Sequence, residues 1–230
     1  MSADALATAV IAAAGSGDRL GAGGPKAFVE VAGKPLLAWS LAALEAADSI
    51  GSIVVAAPPG NEEEVLAAAG SAAVVPGGAS RSESVANALK EVGSELVLVH
   101  DAARPLAPSR LFDAVVSELA ADSDCDAVVA AAPVADTLKR ALAGRVIETV
   151  PRSELWAVQT PQAFRAKALR EALDAEAETL AKATDDASLI EAAGGVVRIF
   201  GWDEPNLKVT TPADLAIAEA LLARPSAFAR

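Results

Sequence analysis

The stretch Ala12-Ala13-Ala14-Gly15-Ser16-Gly17-Asp18-Arg19-Leu20, followed by Pro25-Lys26, holds the residue types best suited to chemistry. Gly15 and Gly17 directly follow an apolar run, and glycines let backbone N–H groups approach phosphate oxygens with no side chain in the way. Arg19 and Lys26 add the positive charge that a triphosphate, and above all a departing pyrophosphate, requires. Two other glycine loops are excluded. A dinucleotide fingerprint needs a small residue where Leu20 stands, and the next long apolar run ends in Ala56-Ala57-Pro58-Pro59, with no acid to hold a ribose. A P-loop needs Ser or Thr after Gly-Lys, whereas Gly33-Lys34 is followed by Pro35. The plainer alternative is a glycine turn whose cations are merely solvated. A second candidate, Asp101, ends another apolar run, where its carboxylate could help position magnesium, bind a substrate hydroxyl, or form a structural salt bridge with Arg104. The neighbouring His100 belongs to the run itself and reads as packing.

These residues need elements to position them. Thr8–Ala13, Ser52–Ala57, Ala72–Val75, Leu96–Val99, Ala127–Ala131 and Val196–Ile199 read as strands, mostly without polar alternation, as expected for strands buried on both faces. Pro35–Ala47, Glu62–Ala69, Ser82–Val92, Ser109–Ala121, Arg165–Leu180, Asp185–Ala193 and Pro212–Ala223 read as helices, the last opened by Thr211 as N-cap and Pro212 in its first turn. The alternation predicts an α/β fold: a single domain over 1–230 with a mostly parallel, Rossmann-like sheet and helices on both faces. In such sheets ligands bind beyond the carboxyl ends of the strands, where the glycine loop begins. The segment 133–161 breaks the rhythm. Its β-prone pieces flank Ala143-Gly144, which predicts a projecting hairpin arm that packs against a second copy of the chain, or else an ordinary surface hairpin.

Bulk properties narrow the class further. The 230 residues carry a formal charge of −12 and no tyrosine. A nucleic-acid binder would need a basic face, so any anionic ligand here is small and held by a local cluster of cations. The single cysteine, Cys125, excludes an internal disulfide and a cysteine-rich zinc site. Residues 1–18 contain no Lys or Arg, unlike a signal peptide, and no stretch reads as a membrane span. The expectation is a soluble cytoplasmic protein.

The apolar strand followed by Ala-Ala-Gly-x-Gly-x-Arg-Leu and Pro-Lys resembles nucleotidyltransferases that activate sugars and polyols. Further blocks narrow the resemblance to the 2-C-methyl-D-erythritol 4-phosphate cytidylyltransferase family of the non-mevalonate isoprenoid pathway. They are Gly77–Val85, Val97–Pro105, Leu155–Phe164, Thr184–Ser188 and Asn206–Thr210, in order along the chain. The resemblance implies attack of a polyol phosphate on the α-phosphorus of CTP with magnesium present, and a homodimer built through the arm. It implies that Arg19 and Lys26 stabilise the transition state and the leaving pyrophosphate. Ala13, Ala14, Gly15, Gly17, Gly78, Ser82, Ser84 and Asp101 would hold CTP, although from their residue types alone Gly78 to Ser84 could equally be a plain loop with a capping serine. Asp101, Arg104, Arg152, Thr160, Thr184 and Lys208 would serve the polyol phosphate, with Thr137 supplied across the dimer, and Asp101 would reach the metal. A ribitol-5-phosphate cytidylyltransferase shares this chemistry, and a non-catalytic CTP-binding subunit is a third possibility. The sequence departs from the family pattern at Asp18, at Pro151 before Arg152, and at Asn206-Leu207-Lys208.

Overall fold

Strand β1, Ala7–Ala12, shows how the body is assembled. Successive side chains of a strand point to opposite faces, so Ala9 and Ile11 enter one core while Val10 enters the other. The structure, a computed structural model, describes residues 6–21, 23–176, 179–180 and 183–223. The remaining strands are β2 (Glu30–Val31), β3 (Lys34–Pro35), β4 (Ile50–Ala57), β5 (Ala73–Pro76), β6 (Leu96–Asp101), β7 (Ala127–Pro133), β8 (Leu138–Leu142), β9 (Arg145–Val150), β10 (Trp156–Arg165) and β11 (Val197–Gly201). The helices are α1 (Leu36–Glu45), α2 (Glu62–Ala68), α3 (Arg81–Leu89), α4 (Ser109–Ala121), α5 (Ala166–Leu173), α6 (Asp186–Ala192) and α7 (Pro212–Leu222). The expected helix Arg165–Leu180 is described as α5 over its first part and otherwise falls partly outside the described residues, as does the chain beyond Ala223.

Seven strands form one sheet in the order β11-β7-β10-β6-β1-β4-β5. All neighbouring pairs are parallel except those of β10, which runs antiparallel to both β6 and β7. Leu37, Leu41 and Leu44 of α1 and Leu111, Phe112, Val115 and Leu119 of α4 cover one face. Val85 and Leu89 of α3, Leu169 of α5, and Leu189 and Ile190 of α6 cover the other. Phe112 and Phe164 are fully buried on opposite faces, and truncating either to alanine should cost about 3–5 kcal/mol. A smaller third cluster joins Val31, Leu36, Val209 and Ala218 of α7. Thr211 caps α7 as expected, with its side chain accepting from the Asp214 N–H and that of Asp214 accepting in return.

Strand β10 is a difference from the sequence reading, which left Trp156–Pro161 in the arm. Its middle reads Gln159-Thr160-Pro161-Gln162, and proline cannot donate to a ladder. The pairing with β7 shifts register between Val158 and Gln162, and the pairing with β6 begins only at Gln162, so the Thr160–Pro161 cis peptide sits where the ladder is interrupted. The projecting part is therefore 134–155, built on the hairpin β8–β9. Its residues are exposed almost throughout.

Candidate active site

The two central strands β1 and β6 run parallel with Ala12 opposite Asp101, and the chain leaves both at the same edge of the sheet. A cleft of about 490 Å³ opens there, lined by Ala12 to Leu20, Lys26, Ala27, Gly78 to Arg81, Ser84, Asp101 to Ala103, Lys208 and Thr210. Its location, outside the carboxyl ends of neighbouring strands, is that of ligand sites in open α/β sheets.

The glycine loop is held by its own backbone. Gly17 has φ 81°, and a Cβ there would lie 2.7 Å from the Gly24 carbonyl oxygen, so only glycine fits. The Lys26 N–H donates to the Gly15 carbonyl at 3.0 Å, which draws the second cation under the loop although it lies eleven positions further on. Asp18, the unexplained acid of the loop, accepts a hydrogen bond from the Ser16 hydroxyl at 2.5 Å. It thus ties the loop together and is not ion-paired with Arg19 in the described salt bridges.

Opposite the loop, four charged groups from four segments form a chain. The Arg81 Nε contacts Asp101 Oδ1 at 3.2 Å, Arg81 Nη1 contacts Asp186 Oδ2 at 2.5 Å, and Lys208 Nζ contacts Asp101 Oδ2 at 2.6 Å. Burial works against ionised Asp101, but the Arg81 and Lys208 cations outweigh it and hold the carboxyl well below the usual range. Asp186 is completely buried, and that burial raises its carboxyl against the opposing pull of Arg81. Lys26 is pushed down to about 8, first by burial and then by repulsion from Lys208, against the attraction of Asp101, with Arg19 adding to the repulsion. Burial and neighbouring cations together lower the basicity of Lys26, and an anion entering among these cations would relieve their mutual repulsion.

Support for this chain comes from beneath. The Asp101 N–H donates to the Thr160 hydroxyl oxygen at 3.0 Å, and that hydroxyl also meets His100 Nδ1 at 3.2 Å. His100 is fully buried edge-on to Phe112 and burial lowers it to about 4, so it stays neutral near pH 7, as its reading as packing requires. Arg104 donates to the Asn206 carbonyl at 2.6 Å, the Asn206 amide donates to the Thr160 carbonyl at 2.9 Å, and the Val209 N–H donates to the Ala103 carbonyl at 2.8 Å. These bonds strap the 206–209 segment across the end of β6 and place Lys208 beside Asp101.

Of the residues singled out from the sequence, Ala13, Ala14, Gly15, Gly17, Arg19, Lys26, Gly78, Ser84, Asp101 and Lys208 line the cleft together. Ser82, in the first turn of α3, does not line it, and Thr160 and Arg104 lie behind Asp101 and Lys208. Thr184 is exposed just before α6. Thr137 and Arg152 lie on the arm, where the Arg152 guanidinium donates to the Ala135 carbonyl, away from the cleft of their own chain. The structural salt bridge with Arg104, one of the alternatives for Asp101, is not among the described ion pairs, and Asp101 bridges Arg81 and Lys208. Arg81 and Asp186 were missed. Both lie in blocks that carried the resemblance, yet nothing local marks them: Asp185 caps α6 by accepting from the Ser188 N–H at 3.0 Å, and its neighbour Asp186 is the acid that turns inward.

A mostly parallel sheet, a glycine loop with two cations at its ligand edge, and a second cationic end across the cleft are the features of a nucleotidyltransferase. The comparisons are more specific. The family model for 2-C-methyl-D-erythritol 4-phosphate cytidylyltransferase matches residues 7–224. The family member from Deinococcus radiodurans is 50% identical over 214 residues, covering 93% of this chain and 88% of the relative. That from Synechococcus elongatus is 44% identical over 222 residues, covering 93% and 94%. The crystal structure of the Thermus thermophilus enzyme superposes with a TM-score of 0.78 at 38% identity, covering 94% of this chain and 98% of that one. The chain belongs to the 2-C-methyl-D-erythritol 4-phosphate cytidylyltransferase family.

Proposed function

We propose that the chain transfers CMP from CTP to 2-C-methyl-D-erythritol 4-phosphate, giving the CDP-polyol and pyrophosphate. The observation that carries this reading is the pairing, in one cleft, of the Arg19–Lys26 loop with the Asp101–Lys208 pair. An oxygen of the acceptor phosphate attacks the α-phosphorus of CTP, and the bond to the bridging oxygen of the β-phosphate breaks. The attacking phosphate is already anionic, so no general base or protein nucleophile is needed, and the work left to the protein is alignment and charge neutralisation. Arg19 and Lys26 offset the charge that builds on the departing pyrophosphate. Lys208, tied to Asp101 by one contact, keeps ammonium hydrogens for the acceptor phosphate. Gly78, with Ala13, Ala14 and Gly15, receives the base and ribose, and Ser84 shapes that pocket from behind.

Magnesium fits this cleft as an ion carried in by the triphosphate. Each Asp101 oxygen already faces a cation, and the described residues gather no group of three or more His, Cys, Asp or Glu into a cage. Magnesium keeps waters and prefers substrate phosphates to all-protein sites, so Asp101 would reach it through water. The ion, when bound, supplies further neutralisation of the phosphate oxygens.

The arm supports a homodimer. Leu142, Val146 and Ile147 are 72%, 62% and 60% exposed, and an isolated hairpin with such an apolar surface calls for a partner. Thr137 and Arg152 would then serve the neighbour's acceptor site. No described helix is long and apolar enough to cross a membrane. We assign the activity to the cytoplasm, a reading supported by the free, buried Cys125. The test of the activity is pyrophosphate release from CTP and magnesium with each polyol phosphate in turn. Turnover is expected with 2-C-methyl-D-erythritol 4-phosphate, and turnover with ribitol 5-phosphate alone would overturn the reading.

A further inference from the structure

The loop between β5 and α3 has its backbone donors turned inward. The Gly78 N–H donates to the Ser84 hydroxyl oxygen at 3.0 Å, and that hydroxyl donates onward to the Ser80 carbonyl at 2.8 Å. The Ala79 N–H donates to the Glu83 carboxylate at 2.7 Å. Glu83 is the third residue of α3, and its own N–H donates to the N-cap Ser80 hydroxyl oxygen at 3.1 Å. Its side chain therefore reaches one residue further back than the usual reciprocal cap, to Ala79 instead of the capping residue. Room for this comes from Gly78, where a Cβ would lie 2.3–2.6 Å from Glu83 Cγ, Cβ and Cδ.

Gly78, Ala79 and Ser84 line the cleft, and Glu83 does not. In a planar trans peptide the N–H of one residue and the C=O of the preceding one point in opposite directions. With the Ala79 N–H held by Glu83, which lies outside the lining, the Gly78 C=O of the same peptide points away from Glu83. We infer that Glu83 is a positioning residue for nucleobase choice: by gripping the Ala79 N–H, it presents the Gly78 carbonyl as a hydrogen-bond acceptor. An acceptor there suits a pyrimidine with a 4-amino group and opposes a 4-oxo pyrimidine, whose oxygen would face a carbonyl oxygen. Without Glu83, the Ala79 N–H loses the acceptor that fixes the plane of this peptide, and the Gly78 carbonyl is no longer held in one direction. This inference rests on the proposed CTP-dependent activity.

The experiment measures kcat/KM for CTP and for UTP on the same preparations of the full-length chain, with 2-C-methyl-D-erythritol 4-phosphate as acceptor. Glu83→Ala is expected to lower the CTP/UTP ratio about 10- to 100-fold, the effect of a misdirected buried hydrogen bond. Glu83→Gln, whose amide oxygen still accepts from Ala79, is expected to keep the ratio within about threefold of the parent. A purely structural cap would lower both nucleotides equally in Glu83→Ala and leave the ratio unmoved, which overturns the inference. If Glu83→Ala does not fold, Glu83→Met, which fills much the same space but cannot accept from the Ala79 N–H, carries the same two outcomes. If the parent chain shows no turnover of CTP, the activity reading falls. The CTP/UTP ratio of Kd then decides the role of Glu83 in the same way.

Discussion

The cleft and the arm are built on opposite plans. At the cleft, Asp101 is buried, paired with Arg81 and Lys208, and backed by Thr160, Asn206 and Arg104 through hydrogen bonds, while the buried Asp186 holds Arg81 from the other side. On the arm, the strands β8 and β9 lie in the open, with Leu142, Val146 and Ile147 uncovered and an Arg140–Glu148 pair 2.6 Å apart at the surface. A site that neutralises developing charge must have its dipoles and cations in place before reaction, which demands a rigid, packed surround. An arm that reaches another molecule needs the reverse, apolar surface left unsatisfied within its own chain. The contrast separates Thr137 and Arg152, which lie on the arm, from the site residues at and behind the cleft.

Three experiments bear on that comparison. Lys26→Ala removes a preorganised cation from the leaving-group side and should lower kcat by about 10³-fold or more while leaving the thermal midpoint nearly unchanged. Unaltered turnover at saturating CTP and magnesium would remove Lys26 from the mechanism. The next effect concerns the arm. Thr137→Ala and Lys26→Ala chains should each be nearly inactive, but mixing them under exchange should restore about a quarter of parental activity, because half of the dimers are mixed and each mixed dimer has one intact composite site. No recovery on mixing would place Thr137 in the site of its own chain, or outside any site. The smallest effect is with pH. Lys26 must be an ammonium, and its pKa is lowered to about 8 by burial and by the Lys208 and Arg19 cations, so kcat/KM for CTP should fall as pH rises through that value. Lys26→Arg should move the fall out of the measurable range, and a parental profile flat to about pH 10 would show that the crowding of cations is relieved before CTP binds.

Much of this was legible from the chain. Gly17 announced its loop because only glycine tolerates both the left-handed backbone and the close approach of Gly24. The strands β1, β4, β6, β7 and β11 were readable as apolar runs, although β11 at the sheet edge is largely exposed, and Thr211-Pro212 marked the start of α7 because capping is decided within four residues. β10 was hidden by the opposite circumstance: its polar Gln-Thr-Pro-Gln core looks like a turn, and only its neighbours β6 and β7 make it a strand.

By itself, then, the sequence determined the glycine loop at the strand end, the alternation of apolar strands and helices, and the family to which those blocks point. Each is encoded over a few residues or a regular period, where local sterics and the burial of one face suffice. Tertiary structure alone decided that Arg81, Asp101, Asp186 and Lys208 share one line of charge and that Thr160 and Arg104 stand behind it. The ion pairs join positions as far apart as 20, 105 and 107 residues in sequence, and no local pattern records them. They form because the strand order brings the ends of β6, α3, α6 and the 206–209 segment to one edge of the sheet, where buried charges are stable only in each other's company.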